Sequence, residues 1–135
     1  MHCILVLFLI FPVDEFCILR LVLTIQLFCL ALKELPLRLA QALKVKTVVN
    51  SPTFVIMKIY IANHPKIKTL VHVDAYRLSS SEELKDIGLA EYLNQEKTVV
   101  VIEWADRVKN ILPKNTLFFK FTEGQNENQR LVTKA

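Results

Sequence analysis

The sequence predicts an α/β domain, because β-prone apolar runs alternate along it with short helical patterns. Two of these runs, Thr69–Asp74 and Thr98–Glu103, each end in a carboxylate. The stretch between them opens with a polar segment and continues in helical spacing. At 135 residues the chain has the length of one domain and can bury a core.

The first predicted elements are a helix and a hairpin. The helix rests on apolar residues at helical spacing, which are Leu35, Leu39, Ala40 and Leu43. Pro36 suits the first turn of that helix. A brief β-prone piece spans Thr47–Ser51. The strand Thr53–Ile61 is expected to turn at Asn63–Pro65 and to pair with Thr69–Asp74.

The second half is predicted to hold short helices around one buried strand. Ser80 and Glu83 have the spacing of a capping box, in which the hydroxyl accepts from the N3 amide and the carboxylate accepts from the N-cap amide. The helix that follows is expected to stop near Gly88. Three further elements are predicted: a helical stretch Leu89–Asn94, a helical turn Asp106–Ile111 ended by Pro113, and an edge strand Leu117–Thr122. The tail after Glu123 is expected to be frayed.

Composition and charge divide the chain into unlike parts. Hydrophobic residues make up 53% of the sequence, and 25 of them lie in residues 1–32. Residues 33–77 carry eight Lys or Arg against two acids, a net charge of +6, whereas residues 78–135 carry eight against nine. The basic part can attract a polyanion such as a nucleotide or tRNA. The alternative is an ordinary solvated face.

The apolar start of the chain is open to three interpretations. It lacks the basic region and cleavage site of a signal peptide. Arg20 and Gln26 interrupt its second apolar run, and neither run reaches the roughly 18–20 residues of a membrane span. It could be a membrane or export segment, a buried strand and helix of the domain, or sequence that does not encode the ancestral fold. Cys3, Cys17 and Cys29 are odd in number and form no CxxC, which predicts reduced thiols and a cytoplasmic protein.

Asp74 and Glu103 are the leading candidates for a functional site. Ligands of open α/β sheets bind outside the carboxyl ends of the strands. A carboxylate there is costly to bury unless a cation or a donor compensates it. Two such acids predict a metal-phosphate site. The structural alternative pairs Asp74 with Arg77 and Glu103 with Arg107.

Four other residues are weaker candidates. Ser51 and Thr53 place two hydroxyls around a rigid proline, which suits the sensing of a phosphate but is also an ordinary turn. His72 lies on the same strand face as Asp74, and such a histidine is more often a core or interface residue than a ligand. Trp104 could cover a nucleotide base or plug the end of the sheet.

The motifs together resemble the TsaE family, the small P-loop ATPases of bacterial tRNA threonylcarbamoyladenosine biosynthesis. The resemblance covers roughly residues 37–121 and rests on the order and spacing of several strings: Asn50-Ser51-Pro52-Thr53-Phe54, His72-x-Asp74-x-Tyr76-Arg77-Leu78, Ile87-Gly88-Leu89-x-Glu91-Tyr92-Leu93 and Ile102-Glu103-Trp104-Ala105. It implies a P-loop NTPase-like mixed sheet flanked by short helices, with ATP hydrolysis and Mg²⁺ as cofactor. It also implies two partner proteins of the TsaB and TsaD type, with tRNA as a further partner and no membrane.

The resemblance also implies a role for each matched residue. Glu103 corresponds to the magnesium-associated glutamate of the family. Asp74 corresponds to the acid needed for turnover, a candidate to orient or deprotonate the attacking water. Ser51 and Thr53 correspond to the loop near the γ-phosphate, and Trp104 adjoins the nucleotide site.

The family's phosphate-binding loop is missing from this sequence. The family places G-x-x-G-x-G-K-T-T about one helix before Ser51, whereas this chain reads Leu30-Ala31-Leu32-Lys33-Glu34-Leu35-Pro36 and has no glycine before Gly88. The prediction is therefore an aberrant apolar segment 1–36 that replaces the Walker A region, a TsaE-like domain 37–122 and a polar tail 123–135. A disrupted reading frame upstream of about residue 38, or a degenerate paralogue, would explain the segment.

The functional prediction follows from the match and the missing loop together. The chain is expected to be a TsaE-family protein of tRNA modification that cannot bind ATP normally, which leaves its status as an enzyme open. The alternative is a non-catalytic remnant that binds a partner protein or tRNA. A third hypothesis is a variant tethered to a membrane through residues 1–32.

Overall fold

The computed structural model describes residues 3–9, 34–50, 52, 54–123, 125 and 130–134. These residues form a six-stranded mixed sheet with short helices, which confirms the α/β class. The strands are β1 Cys3–Leu9, β2 Met57–Ile61, β3 Thr69–Asp74, β4 Thr98–Glu103, β5 Leu117–Glu123 and β6 Arg130–Lys134. They lie in the order β2-β3-β4-β1-β5-β6. Strands β3 and β4 are parallel, whereas the other neighbouring pairs are antiparallel.

Strands β3 and β4 have the bounds that the sequence predicts. Both are runs of apolar, largely β-branched residues, and all six residues of β4 are buried. A parallel pair cannot be joined by a tight turn and needs a crossover connection. The helices α2 (Glu82–Asp86) and α3 (Leu89–Leu93) form that crossover. Gly88 separates them with φ +86°, a conformation that glycine adopts without a steric cost.

The two remaining helices also lie close to their predicted positions. Helix α1 spans Glu34–Ala42, with Pro36 in its first turn, where a missing amide hydrogen leaves no bond unmade. A 3-10 helix spans Ala105–Ile111 and follows β4 directly. Pro113 comes two residues later and lacks the amide hydrogen that a continuing helix would need.

The sheet has two faces with separate cores, because side chains alternate across each strand. On the face covered by α1, called the α1 face, the core contains Leu39, Leu43, Leu70, Val99, Val101 and Phe119. On the opposite face, α2, α3 and the 3-10 helix cover a core that contains Val71, Val73, Leu84, Leu89, Val100 and Ile102. Each of β3 and β4 therefore contributes to both cores.

Several predictions about the margins of the fold are wrong. Strand β2 begins at Met57 rather than at residue 53, because residues 54–56 bend before it, and residues 47–50 form no strand. Strand β5 is not an edge strand, since β1 pairs with one side of it and β6 with the other. Residues 130–134 form β6, so this part of the tail is paired rather than frayed. Distant pairing partners decide these points, and local composition does not reveal them.

The capping box at the start of α2 forms only in part. The side chain of Glu83 accepts hydrogen bonds from the backbone amides of Ser79 (2.9 Å) and Ser80 (3.2 Å). The N-cap residue is Ser81, one position later than predicted, and it makes no side-chain cap bond. Its hydroxyl donates instead to Glu82 Oε2 at 3.1 Å.

The start of the chain contributes a central strand. Strand β1 pairs antiparallel with both β4 and β5, which agrees with the strand part of the second interpretation of the N-terminal segment. The helix part of that interpretation lies outside the described residues. Within the described residues, no helix is long and apolar enough to cross a membrane.

Candidate functional site

The two candidate acids lie side by side at the carboxyl ends of the parallel strands. Asp74 is the register partner of Glu103, and neighbouring strands are about 4.8 Å apart. Partners in a parallel pair point to the same face, and alternation from Leu70 and Val99 places both acids on the α1 face. The structure therefore brings together the two acids that the sequence singles out.

Asp74 is held by its own turn. Its Oδ1 accepts a hydrogen bond from the backbone amide of Tyr76 at 3.0 Å, which is the two-residue reach typical of aspartate at a turn. Its amide donates to Ile56 O at 2.9 Å, and the next amide, Ala75 N, donates to Glu103 O at 3.0 Å. These bonds continue the sheet into the site and fix the carboxylate at the strand end.

Glu103 is buried and bonded to His72. Glu103 is 5% exposed and His72 is 2% exposed. The two atoms His72 Nε2 and Glu103 Oε1 are 2.6 Å apart, a short bond of the kind that a charged acceptor makes. The hydrogen bond joins β3 to β4 across the α1 face.

The structural alternative for the two acids does not hold within the described residues. No ion pair there joins Asp74 to Arg77 or Glu103 to Arg107. Arg107 Nη1 donates instead to Leu78 O at 3.0 Å. The guanidinium groups of Arg77 and Arg107 lie over the rings of Phe54 and Tyr76, at 5.6 and 5.7 Å from the ring centroids.

Trp104 turns the chain sharply out of β4. Its φ is +59° and its ψ is 40°, a left-handed conformation that is uncommon for a bulky side chain. Its ring packs on Tyr76 with centroids 5.0 Å apart and planes tilted by 54°. Tyr76 is about half exposed, so the aromatic pair reaches the surface, and Trp104 also packs against the opposite-face core.

The predicted phosphate-sensing loop is only partly described. Ser51 and Thr53 lie outside the described residues. Pro52 between them is buried, and Phe54 after them is 91% exposed. Tyr60 donates from its hydroxyl to Asn50 O at 3.3 Å, which ties the start of this segment to β2.

The donor set fits magnesium only with help from another ligand. Among the described residues, no group of three or more His, Cys, Asp or Glu side chains could hold a metal ion. Asp74 and Glu103 supply two carboxylates, and Mg²⁺ usually takes one or two carboxylates together with phosphate oxygens and water. The site therefore fits a magnesium ion that arrives with a phosphate ligand, and does not fit a metal cage made by the protein alone.

Two features of the site do not follow from the sequence reasoning. The partner of Glu103 is His72, which the sequence favours as an ordinary core residue. The sequence carries only part of the signal, because the two-residue spacing of His72 and Asp74 places them on one face but does not identify the neighbouring strand. The contact between Tyr76 and Trp104 had no such signal, since it depends on two separate loops.

Comparison with known proteins finds one family. Residues 34–132 match the sequence profile described as threonylcarbamoyl adenosine biosynthesis protein TsaE. Three of the relatives that carry the name tRNA threonylcarbamoyladenosine biosynthesis protein TsaE show the extent of the similarity. The protein of Treponema pallidum is 40% identical over 79 residues, covering 58% of this chain and 55% of the relative. That of Bacillus subtilis is 37% identical over 78 residues, covering 58% and 46%. That of Streptomyces coelicolor is 42% identical over 72 residues, covering 50% and 45%. The chain thus spans about half the length of the relatives that it matches.

Proposed function

We propose a function from the premise that this chain belongs to the TsaE family, which the match over residues 34–132 establishes. The proposed function is that of the Mg²⁺-dependent ATPase component of tRNA threonylcarbamoyladenosine biosynthesis. The observation that carries it is the register of Asp74 with Glu103 at the carboxyl ends of a parallel strand pair. This is the position at which α/β sheets bind ligands.

The two acids would have different roles, one toward the cation and the other toward the attacking water. Glu103 is fixed by His72 and suits a cation, because one carboxylate oxygen is held while the other has no partner among the described residues. Asp74 is more exposed than Glu103 and is oriented by its turn, which suits contact with an attacking water. Magnesium bound to the phosphates would neutralise the charge that develops on the transferred phosphoryl group.

The flanking residues complete the proposed site. Ser51 and Thr53 are proposed to contact the γ-phosphate, as the family motif implies. Trp104 follows Glu103 directly and packs on Tyr76, so an aromatic surface borders the position of the nucleotide. The proposed fold is the P-loop NTPase-like mixed sheet, in which β1 of the N-terminal segment and β6 of the tail join the family-like part at 37–122.

We further propose that this chain by itself binds ATP poorly. The amides of a glycine-rich loop and its lysine make most of the phosphate contacts in P-loop ATPases. This sequence has no glycine before Gly88, and Glu34 would repel a phosphate at the position of the loop. Losing the loop removes a whole group of contacts rather than one.

The proposed partners follow from the family function. They are the two other proteins of the threonylcarbamoyl-transfer complex, of the TsaB and TsaD type, and tRNA, all of which would be met in the cytoplasm. The net charge of +6 over residues 33–77 supports attraction to a polyanion. No observation on the described residues favours the alternative of a non-catalytic binding remnant.

Calorimetry with Mg²⁺ and ATP tests the proposal in two chains. The chain as printed should show no saturable binding in the micromolar range. A chimera in which the corresponding N-terminal part of the Bacillus subtilis relative replaces residues 1–36 should bind in that range. The chimera should also restore threonylcarbamoyladenosine to the tRNA of bacteria depleted of their own protein, as measured by mass spectrometry.

Matched variants of the chimera serve as controls. Asp74→Asn should retain nucleotide binding and lose the restored modification, and an alanine in place of the loop lysine should lose binding. Micromolar ATP binding by the printed chain would refute the requirement for the loop. A chimera that binds ATP but restores no modified tRNA would refute the proposed function.

A further inference from the structure

We propose that His72 is the positioning residue of the cation site, because it holds the carboxylate of Glu103 in one orientation. This inference rests on the proposed function, since it assumes that Glu103 meets a cation. His72 is assigned no role by the family motif as it is carried over to this chain. The observation behind the proposal is the 2.6 Å contact between His72 Nε2 and Glu103 Oε1, made by two buried side chains.

The environment of the imidazole fixes which nitrogen carries the proton. Nδ1 of His72 is buried and has no hydrogen-bond partner in the described part of the structure. A proton on Nδ1 would therefore be a buried donor without an acceptor, which is unfavourable. A carboxylate only accepts, so Nε2 carries the proton and donates to Glu103. The imidazole of His72 therefore donates its hydrogen bond from Nε2 to Glu103 and not in the reverse direction.

The strand register explains why this bond selects one carboxylate orientation. His72 is the register partner of Val101, and Glu103 lies two residues further along β4 on the same face. The bond therefore runs diagonally from β3 to the end of β4 and draws Oε1 back toward the sheet. Among the described residues no further hydrogen bond reaches the side chain of Glu103, so Oε2 is the oxygen left for a ligand.

The two neighbouring acids are oriented by different hydrogen-bond donors. Asp74 is the register partner of Glu103 and takes its own hydrogen bond from Tyr76 N. Each acid is thus oriented by a separate donor, one a side chain and the other a backbone amide. Donors that orient metal-binding side chains typically change metal affinity by about 10- to 100-fold when they are removed.

The test measures Mn²⁺ affinity in the presence of ADP on the chimera that carries the phosphate-binding loop, because the two carboxylates make a metal site only together with phosphate oxygens. Free Mn²⁺ is measured by electron paramagnetic resonance during a titration. His72→Gln and His72→Asn form a matched pair of amides, because the glutamine amide reaches the position of Nε2 whereas the asparagine amide is one methylene shorter. We expect His72→Asn to weaken Mn²⁺ binding about tenfold. His72→Gln should stay within about threefold of the unmodified chimera, because it restores the donor.

A spectroscopic readout on the unmodified chain does not depend on how the variants fold. Long-range proton–nitrogen NMR assigns the tautomer of His72, and we expect the proton on Nε2. Glu103→Gln should shift the Nε2 proton resonance, because it replaces the carboxyl acceptor with an amide. A proton on Nδ1, or a resonance that Glu103→Gln leaves unchanged, would overturn the proposal.

The outcomes distinguish this inference from the proposed function. If Glu103→Gln leaves Mn²⁺ binding unchanged, the carboxylate of Glu103 meets no cation, and both proposals fail. If Glu103→Gln loses binding while His72→Asn binds as the unmodified chimera does, the cation site stands and the role of His72 is refuted. Equal losses in His72→Asn and His72→Gln would also refute it, because the loss would then not follow the donor.

Discussion

The two faces of the strand pair β3–β4 differ in the polarity of the side chains that they carry toward the carboxyl ends of the strands. After Thr69 and Thr98 at the strand starts, the opposite face carries apolar side chains from these strands, among them Val73, Val100 and Ile102, and all three are fully buried. The α1 face begins in the same way with Leu70 and Val99, which are also buried. Toward the carboxyl ends of the strands, however, it changes to His72, Asp74 and Glu103.

The difference indicates which face is scaffold and which is site. An apolar side chain gains stability from burial in proportion to its area. A buried polar pair gains little over an apolar pair of similar size, because desolvation offsets its attraction. A polar cluster that interrupts an otherwise apolar pattern is therefore better explained by function than by stability.

The largest change in the free energy of unfolding is expected for the buried pair of His72 and Glu103 on the α1 face. His72→Leu leaves the carboxylate of Glu103 buried without its donor, so we expect the free energy of unfolding to fall by about 4 kcal/mol. The double variant His72→Leu/Glu103→Leu removes both polar groups and should return to within about 1 kcal/mol of the unmodified chain. Urea unfolding followed by the fluorescence of Trp104, the one tryptophan of the sequence, measures each variant.

This double-variant cycle can contradict the conclusion that the polar pair on the α1 face contributes little to stability. If the double variant is as unstable as His72→Leu alone, the pair stabilises the fold in its own right. The α1 face would then be a scaffold of the same kind as the opposite face.

The next effect concerns the opposite face. Leu84 of α2 is fully buried against the opposite-face core, so Leu84→Ala should lower the free energy of unfolding by about 3 kcal/mol through lost burial and an unfilled cavity. Ile87 follows in the same segment and is 37% exposed, and Ile87→Ala should change the value by no more than about 0.5 kcal/mol. The urea measurement applies here too. A loss below about 1 kcal/mol for Leu84→Ala would mean that this core is loosely packed.

The smallest expected effect is a change in the pKa of Glu82, which lies outside both cores. The pKa of Glu82 lies below its ordinary value of 4.5, first because of a hydrogen bond from the backbone at Glu82 and then because of the Ser81 hydroxyl. A lowered pKa in the folded state stabilises the fold above the unfolded pKa, and this contribution is lost as the pH falls through the folded pKa. Ser81→Ala should therefore move the pKa of Glu82 upward, toward 4.5.

Carbon-13 NMR of the carboxyl group across the acid range measures this shift. Ser79→Ala is the matched control, because the backbone of Ser79 donates to Glu83 and not to Glu82. An unchanged titration of Glu82 in Ser81→Ala would show that the hydroxyl has no part in the shift.

Much of the candidate site could be predicted because its signals are local. The composition of the apolar runs that end in Asp74 and Glu103 predicts strands. Open α/β sheets in general bind ligands at the carboxyl ends of such strands. The alternative of ion pairs with Arg77 and Arg107 does not hold within the described residues, where each arginine lies over an aromatic ring. Such contacts depend on how loops fold back, which residue spacing does not encode.

The bond between His72 and Glu103 shows the limit most clearly. The two residues are 31 positions apart, and their contact requires a parallel pairing of β3 with β4 in one register. A shift of one residue would move one of the two side chains to the other face. Strand periodicity shows that His72 and Asp74 share a face, but it does not show which strand lies beside them.

The sequence by itself determined the α/β class, the parallel strands β3 and β4, the short helices between them and the family to which the chain belongs. These follow from local periodicity, from turn and capping residues and from motifs of fixed spacing. Only the tertiary structure decided that β5 lies inside the sheet, that Asp74 and Glu103 are register partners and that His72 holds Glu103. Each of these depends on pairing between distant segments, whose free energy comes from burial and hydrogen bonds that exist only once the sheet has formed.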